Sequence, residues 1–379
     1  MSVISGQKSV RRLHHDAGER PMITIWEVTR ACALVCQHCR ADAQHHRNPK
    51  ELSTVQGKAL LDDIAGFGKP FPIVVMTGGD PFEREDLEEL VAYGHAQGLH
   101  MALSPSVTPR MTPQRLKALR DAGASAMSLS LDGCTAQTHD AFRGVPGVYD
   151  ATVTAAGWVK EAGFRLQINS TVTRKTVHEL PDLLRQVIDL GAALWSVFFL
   201  VPTGRGQSLD ALTPQEIEDV LQWLHDVSDL VAIKTTEAPH YRRVVIQRAT
   251  HNYEQYGDLY SWLTEHTAEL RDERNELGAL RTPRPPIEIN SGRGFAFIDH
   301  VGDVYPSGFL PQQCGNVKEE SFKDIYRTSP TLKSLRQPDT FDGKCGVCGF
   351  NALCGGSRSH SYAVTGNLLA SDPTCVYQP

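Results

Sequence analysis

Residues 29–43 read TRACALVCQHCRADA and set Cys32, Cys36 and Cys39 in a C-x3-C-x2-C spacing, directly after a strand-like run, Ile23–Thr29. Outward from that loop the chain repeats one theme. Further β-branched, strand-like runs are expected at Ile73–Thr77, His100–Ser104, Ala126–Leu131, Arg165–Thr171 and Trp195–Leu200. Helical patterns fall between and after them, at Thr54–Ala65, Glu85–Gln97, Pro113–Ala122, Val148–Ala162, Val177–Leu190 and Pro214–Ser228. Thr112-Pro113 and Thr213-Pro214 read as N-cap and N1 pairs, and Gly98, Gly123, Gly163 and Gly191 stand where helices end. Six strand–helix units in alternation predict an α/β fold with a parallel sheet: a partial (β/α)6 TIM-like barrel, or else a doubly wound sheet. In a barrel the site forms at the C-terminal ends of the strands, and the cysteine loop is the first of those ends.

The alternation is expected to stop near residue 230. Residues 239–280 read as polar helices, RTPRPP at 281–286 is a break, and Gly294–Asp299 with Asp303–Pro306 has a hairpin pattern. The remainder is a small cysteine-rich C-terminal extension with little core of its own, expected to depend on metal for its fold.

Composition narrows the function classes. The 379 residues carry 38 Lys and Arg against 44 Asp and Glu, a net charge of −6, with 41% hydrophobic and 22% charged residues. These values exclude a disordered chain and give no electrostatic footprint for nucleic acid or anionic lipid. No apolar run reaches the roughly 20 residues of a membrane span. The stretch through Pro21 is polar and shows no apolar export segment, so a cytoplasmic protein is expected.

Nine cysteines, an odd number, disfavour a disulfide framework in a reducing compartment. Three local thiolates do not close a structural zinc site, which takes four. A 4Fe–4S cluster held by three cysteines leaves one iron open for chemistry. Cys345, Cys348, Cys354 and Cys375 supply four, enough for zinc or for a fully ligated 4Fe–4S cluster. Cys134 reads as a buried small side chain, and Cys314 as a bystander or a substrate-proximal thiol.

The C-x3-C-x2-C loop in this location resembles that of the radical S-adenosylmethionine (radical SAM; AdoMet) superfamily, and the resemblance spans residues 20–379. It implies a cluster whose open iron chelates AdoMet, reductive cleavage to a 5′-deoxyadenosyl radical, and hydrogen abstraction from substrate. A low-potential electron donor such as flavodoxin or ferredoxin is implied as partner. MTGGDPF, with Gly78, Gly79, Asp80 and Pro81, matches the family's glycine-glycine-acid motif for the AdoMet amino group. Glycines let backbone approach a ligand closely. By the same resemblance Ser130 and Asp132 of SLSLDG meet the ribose and carboxylate, and Arg143 of AFRGVPG pairs with the carboxylate. Asn169 and Thr171 lie on the fifth strand, Leu200–Pro202 offers backbone to adenine, and His38 takes the slot of an adenine-facing aromatic residue. Each has a plainer reading: a turn-forming Asp-Gly, a surface arginine, an exposed loop histidine.

The C-terminal cysteines resemble the SPASM or twitch auxiliary-cluster domain of the same superfamily. The full pattern has further cysteines where this chain has Ser307 and Arg358. The resemblance therefore implies one auxiliary 4Fe–4S cluster, making two clusters in all. The implied division is an N-terminal extension at 1–20, a partial barrel at 21–235, a helical bridge at 236–290 and the iron–sulfur domain at 291–379. DPFERED, TEAPHYRRV and GFAFIDHVGDVYPSGFLP resemble a branch containing haem-synthesis and haem-modification enzymes, which implies a carboxylate-bearing substrate and an oxidation or oxidative decarboxylation. A radical maturase acting on a peptide is the alternative, and a non-catalytic iron–sulfur or zinc scaffold the alternative from another class. For a porphyrin carboxylate, His240, Tyr241, Arg242, Arg243 and Arg205 are the basic group expected near the barrel mouth, with His240 a candidate iron ligand.

Overall fold

The computed structural model describes residues 9–250 and 256–379. Its frame is a run of parallel strands: β1 (Ile23–Thr29), β2 (Ile73–Gly78), β3 (His100–Leu103), β4 (Ala126–Ser130), β5 (Arg165–Val172), β6 (Leu194–Phe199), β7 (Ile233–Thr236) and β8 (Phe295–Ile298). They lie side by side in the order β8-β1-β2-β3-β4-β5-β6-β7. Two short antiparallel strands, β9 (Asp303–Tyr305) and β10 (Gly315–Asn316), extend the β8 edge. The sheet is covered by α1 (Thr54–Ala65), α2 (Leu87–Ala96), α3 (Pro113–Asp121), α4 (Ala136–Arg143), α5 (Val148–Glu161), α6 (Leu180–Asp189) and α7 (Pro214–Asp226). α8 (Tyr241–Ala249) and α9 (Asp258–Glu276) pack onto α7, and α10 (Phe322–Thr328), α11 (Pro330–Ser334), α12 (Gly343–Val347) and α13 (Arg358–Thr365) belong to the C-terminal part. No helix among the described residues is long and apolar enough to cross a membrane.

Alternation along each strand divides helix-facing from lumen-facing side chains. On β1, Trp26 and Val28 are fully buried toward the helices, leaving Ile25 and Glu27 to the lumen. Gly57 on α1 makes the room: a Cβ there would lie 2.7 Å from the Trp26 indole. On β6, Trp195 meets Trp223 of α7 edge to face at 6.1 Å, and neither has exposed surface. Truncating either to Ala is expected to cost about 3–5 kcal/mol. The helices start as their sequences dictate, with capping boxes at Ser53–Gln56 and Thr213–Glu216.

The α/β class and the barrel-like parallel sheet are as expected, with three differences. Strand–helix alternation does not stop near residue 230. β7 straddles residues 235 and 236, and its four residues are too few to carry a periodic signal. β8 is more than a hairpin arm, because it also pairs in parallel with β1 and so ties the C-terminal extension into the sheet. The helix α4 is additional to the expected elements; Thr135 caps its start and Gly144, at φ 73°, ends it.

Candidate active site

The loop after β1 buries Cys32 and Cys36 and leaves Cys39 partly covered. Three backbone bonds fix it: Cys32 N to Gln44 O at 2.8 Å, Gln37 N to Phe142 O at 2.9 Å and Arg205 N to Cys39 O at 3.2 Å. Each thiol receives one N–H. Leu34 N lies 3.4 Å from Cys32 Sγ, Ala43 N 3.4 Å from Cys39 Sγ, and Arg143 Nη1 3.7 Å from Cys36 Sγ. Burial pushes the free Cys32 thiol up to about 11, so metal ligation is what would draw its proton off. Three thiols on one loop, each with a donor that stabilises a thiolate, fit a cluster with one open iron.

The GGDP turn is laid directly on this loop. Gly79 N donates to Thr29 O at 2.9 Å and Asp80 N to Ala31 O at 2.7 Å. A Cβ on Gly78 would lie 2.3 Å from Thr29 O, and one on Gly79 would lie 2.4 Å from Ala31 O. Neither position has space for a side chain. Asp80 has no exposed surface: its carboxylate accepts from Phe82 N at 3.1 Å and from Thr108 Oγ1 at 2.8 Å, while Pro81 opens the turn that follows. Burial raises its pKa to about 6.

Beyond β4, Asp132 forms a buried salt bridge with Arg143, the last residue of α4. Asp132 also accepts from Thr171 N at 2.7 Å, and its own N–H donates to His139 Nδ1 at 3.1 Å. Burial alone would raise the Asp132 pKa, yet Arg143, and then His38 and His139, hold it below the usual carboxylate value. The guanidinium pKa rises in turn, because Asp132 and the Cys36 sulfur outweigh burial. His38 stacks on Phe142 at 4.4 Å with 18° between rings, and burial lowers it to about 4, so it is neutral at pH 7. Asp132 is thus more than a turn residue, Arg143 is not a surface arginine and His38 is not an exposed one. Ser130 ends β4, level with Asn169 on β5. Arg205 stands nearby with Nε and Nη2 buried and unpartnered among the described residues.

The four C-terminal thiols of Cys345, Cys348, Cys354 and Cys375 line one pocket, beside Arg243 and Phe350. Asp372 N, Phe350 N and Gly356 N lie 3.3, 3.5 and 3.4 Å from the sulfurs of Cys345, Cys348 and Cys354. Burial pushes the Cys354 thiol up to about 12. Among the described residues no three His, Cys, Asp or Glu side chains close on a single-ion site. This pocket sits over the C-terminal ends of β6 and β7. Ser357 and Ser307 donate to Glu237, just past β7, at 2.7 and 3.0 Å, and the His360 ring meets Leu200 O, just past β6, at 2.9 Å. Cys314 and Cys134 pack against the main core instead.

The radical SAM superfamily model matches residues 26–187. The AdoMet-dependent heme synthase of Oleidesulfovibrio alaskensis is 38% identical over all of this chain and 93% of its own length. The chain belongs to the radical SAM superfamily. It is also 30% identical to the mycofactocin maturase MftC of Mycolicibacterium smegmatis, across 94% of this chain and 83% of that one. Among solved structures, Streptococcus suis SuiB bound to S-adenosylmethionine superposes with a TM-score of 0.68 at 16% identity, covering 95% of this chain and 78% of that one. That likeness concerns the fold.

One expectation about this radical SAM enzyme is corrected. The basic group of TEAPHYRRV does not line the mouth. Arg242 donates to Leu353 O at 2.9 Å and to Ile289 O; Arg243 is locked to Glu218 and Gln247; Tyr241 donates to Leu224 O at 3.5 Å. His240 is 1% exposed and lies 3.7 Å from Asp372. These residues fasten α8 to α7 and to the cysteine-rich segment. Other residues stand at the mouth end of the strands. Phe198 on β6 approaches Phe309 at 6.4 Å, Arg40 lies 4.5 Å over Phe297 and bonds Glu27 at 2.7 Å, and Glu237 holds φ 60°. Strand alternation gave a usable signal for Phe198; Phe309 and Glu237 carry none.

Proposed function

We propose that this radical SAM enzyme oxidatively decarboxylates propionate side chains of an iron porphyrin. The observation that carries the substrate class is full-length similarity, at 38% identity, to a protein named AdoMet-dependent heme synthase. When bound, AdoMet on the three-cysteine cluster supplies a 5′-deoxyadenosyl radical, and a second 4Fe–4S cluster held by Cys345, Cys348, Cys354 and Cys375 supplies a one-electron acceptor. The net change at each side chain is –CH2–CH2–COO⁻ to –CH=CH2 and CO2, with one hydrogen atom and one electron leaving. The four thiols that line one pocket supply the full ligand set of such a cluster.

The chain's own residues bind and orient. Cys32, Cys36 and Cys39 hold the cluster. Backbone of the Gly78–Asp80 turn receives the AdoMet amino group, Arg143 with Ser130 and Asp132 takes the carboxylate and ribose, and neutral His38 faces adenine. Phe198 and Phe309 offer apolar ring surface to a flat macrocycle and exclude water from the mouth. A flavodoxin or ferredoxin supplies the electron that starts each turnover. The reducing cytoplasm, where cysteines stay out of disulfides, is its compartment.

Anaerobic incubation with AdoMet, a reductant and iron coproporphyrin III, followed by mass spectrometry, tests this reading. Loss of CO2 and two hydrogens per reacting propionic acid is the expected result; unchanged porphyrin overturns it. A second reading, peptide maturation, is favoured by the similarity to mycofactocin maturase. It predicts AdoMet cleavage that responds to a peptide and not to the porphyrin.

A further inference from the structure

Arg205 follows β6, on the short turn Gly204–Ser208. That turn lies against the cysteine loop. Arg205 N donates to Cys39 O at 3.2 Å, and a Cβ on Gly204 would lie 2.6 Å from Cys39 O and 2.7 Å from Arg40 O. The side chain stays in the same corner: its charge acts on His38, which also feels Asp132 and Arg143. Backbone and charge thus both place Arg205 at the C-terminal ends of the strands, beside the residues proposed to hold AdoMet. Nε and Nη2 of Arg205 are buried, and neither has a hydrogen-bond partner among the described residues. These two atoms form the side-on edge of a guanidinium, whose parallel N–H groups match the two oxygens of a carboxylate. The chain uses that edge elsewhere: Arg84 Nε and Nη2 donate to the Asp86 carboxylate at 2.9 and 2.6 Å. At Arg205 the edge is open. Asp132, the acid of this corner, is already taken by Arg143. A buried fork without its acceptor is costly unless a ligand completes it.

We propose that the Nε/Nη2 edge of Arg205 binds the carboxylate of the propionate that reacts. This inference rests on the porphyrin reading above. Adenine fits the edge poorly, because its ring acceptor stands beside the donating amino group, and a ribose diol brings no charge. A carboxylate brings two acceptors and the charge together. Of the two carboxylates that meet in the reaction, that of AdoMet goes to Arg143. In the conversion of –CH2–CH2–COO⁻ to –CH=CH2, the ring-side methylene gives its hydrogen atom to the 5′-deoxyadenosyl radical. One electron passes to the second cluster, and the pair of the C–COO⁻ bond becomes the vinyl π bond as CO2 departs. The carboxyl carbon is two bonds from the carbon that loses hydrogen. Its anchor must therefore stand beside the radical, as a residue tied to Cys39 does. Arg205 keeps the carboxylate ionised and sets which methylene faces AdoMet.

The experiment is an anaerobic absorption titration of reconstituted protein with iron coproporphyrin III and with its methyl ester, with AdoMet affinity measured on the same samples. Wild type is expected to bind the acid more tightly than the ester. R205M is expected to bind the acid roughly 10- to 100-fold more weakly, the worth of a hydrogen bond to a charged group, and to keep the iron content and AdoMet affinity of wild type. R205K retains the charge and loses the fork, so it is expected to fall between the two. Equal binding of the acid by wild type and R205M, or no preference of wild type for acid over ester, overturns the Arg205 assignment alone. A loss confined to AdoMet affinity gives the fork to the AdoMet carboxylate and overturns the assignment too, as does iron lost from R205M, which makes the guanidinium structural. No binding of either porphyrin by wild type overturns the porphyrin reading and the anchor with it.

Discussion

Arg143 pairs with Asp132 inside the protein, and the same guanidinium reaches Cys36 Sγ at 3.7 Å. One side chain therefore joins the end of β4, the end of α4 and the catalytic loop. Its charge is compensated on one side by a carboxylate and faces on the other the Cys36 sulfur, a thiolate in the proposed cluster. The pair fixes where the loop's middle cysteine sits, and it does so from a helix that starts only after the fourth strand.

Replacing Arg143 by Met leaves Asp132 buried and unpaired. The expected loss is about 3–5 kcal/mol, read by thermal or denaturant unfolding. The double variant D132N/R143M should recover most of it, because no lone charge remains. If R143M unfolds like wild type, the pair carries no structural weight.

Gly79→Ala puts a methyl group 2.4 Å from the Ala31 carbonyl oxygen, so the cysteine loop has to shift. The variant is expected to lose about one cluster's iron, roughly four per chain, while the C-terminal cluster stays. Iron analysis after anaerobic reconstitution checks this. A full complement of iron with normal AdoMet cleavage counts against the close approach being needed.

Asp80 titrates near 6 in the folded protein against 3.8 for an ordinary aspartate, and burial is the main cause. The folded chain thus holds this proton more tightly than the unfolded chain does. Its stability contribution is greatest below about pH 4, declines as pH rises to about 6, and is flat above. The stability difference between wild type and D80N should change by about 3 kcal/mol across that window. A difference that does not vary with pH contradicts the assignment.

Cys354→Ser removes one thiol from the C-terminal pocket and leaves the loop after β1 intact. Iron should fall by about four per chain. Reductive AdoMet cleavage should continue while oxidised product disappears, since no acceptor remains for the second electron. Unimpaired product formation would show the C-terminal site to be structural only.

The catalytic loop and the glycine turn were legible because their spacing is local: Cys32 to Cys39 and Gly78 to Pro81 each lie within one turn of chain. The strands and helices that frame them follow from periodicity and caps. What escaped depends on contacts distant in sequence. β8 pairs with β1 across most of the chain, and Arg242 bonds Leu353 and Ile289, so a cationic group expected at the barrel mouth is buried by segments the local sequence does not announce.

In the proposed reaction hydrogen leaves a carbon of the porphyrin's propionate side chain. Iron coproporphyrin III deuterated at the propionate methylenes tests it directly, with the 5′-deoxyadenosine formed on turnover analysed by mass spectrometry. One deuterium in 5′-deoxyadenosine for each CO2 released is the expected result. Decarboxylated porphyrin accompanied by unlabelled 5′-deoxyadenosine would contradict it.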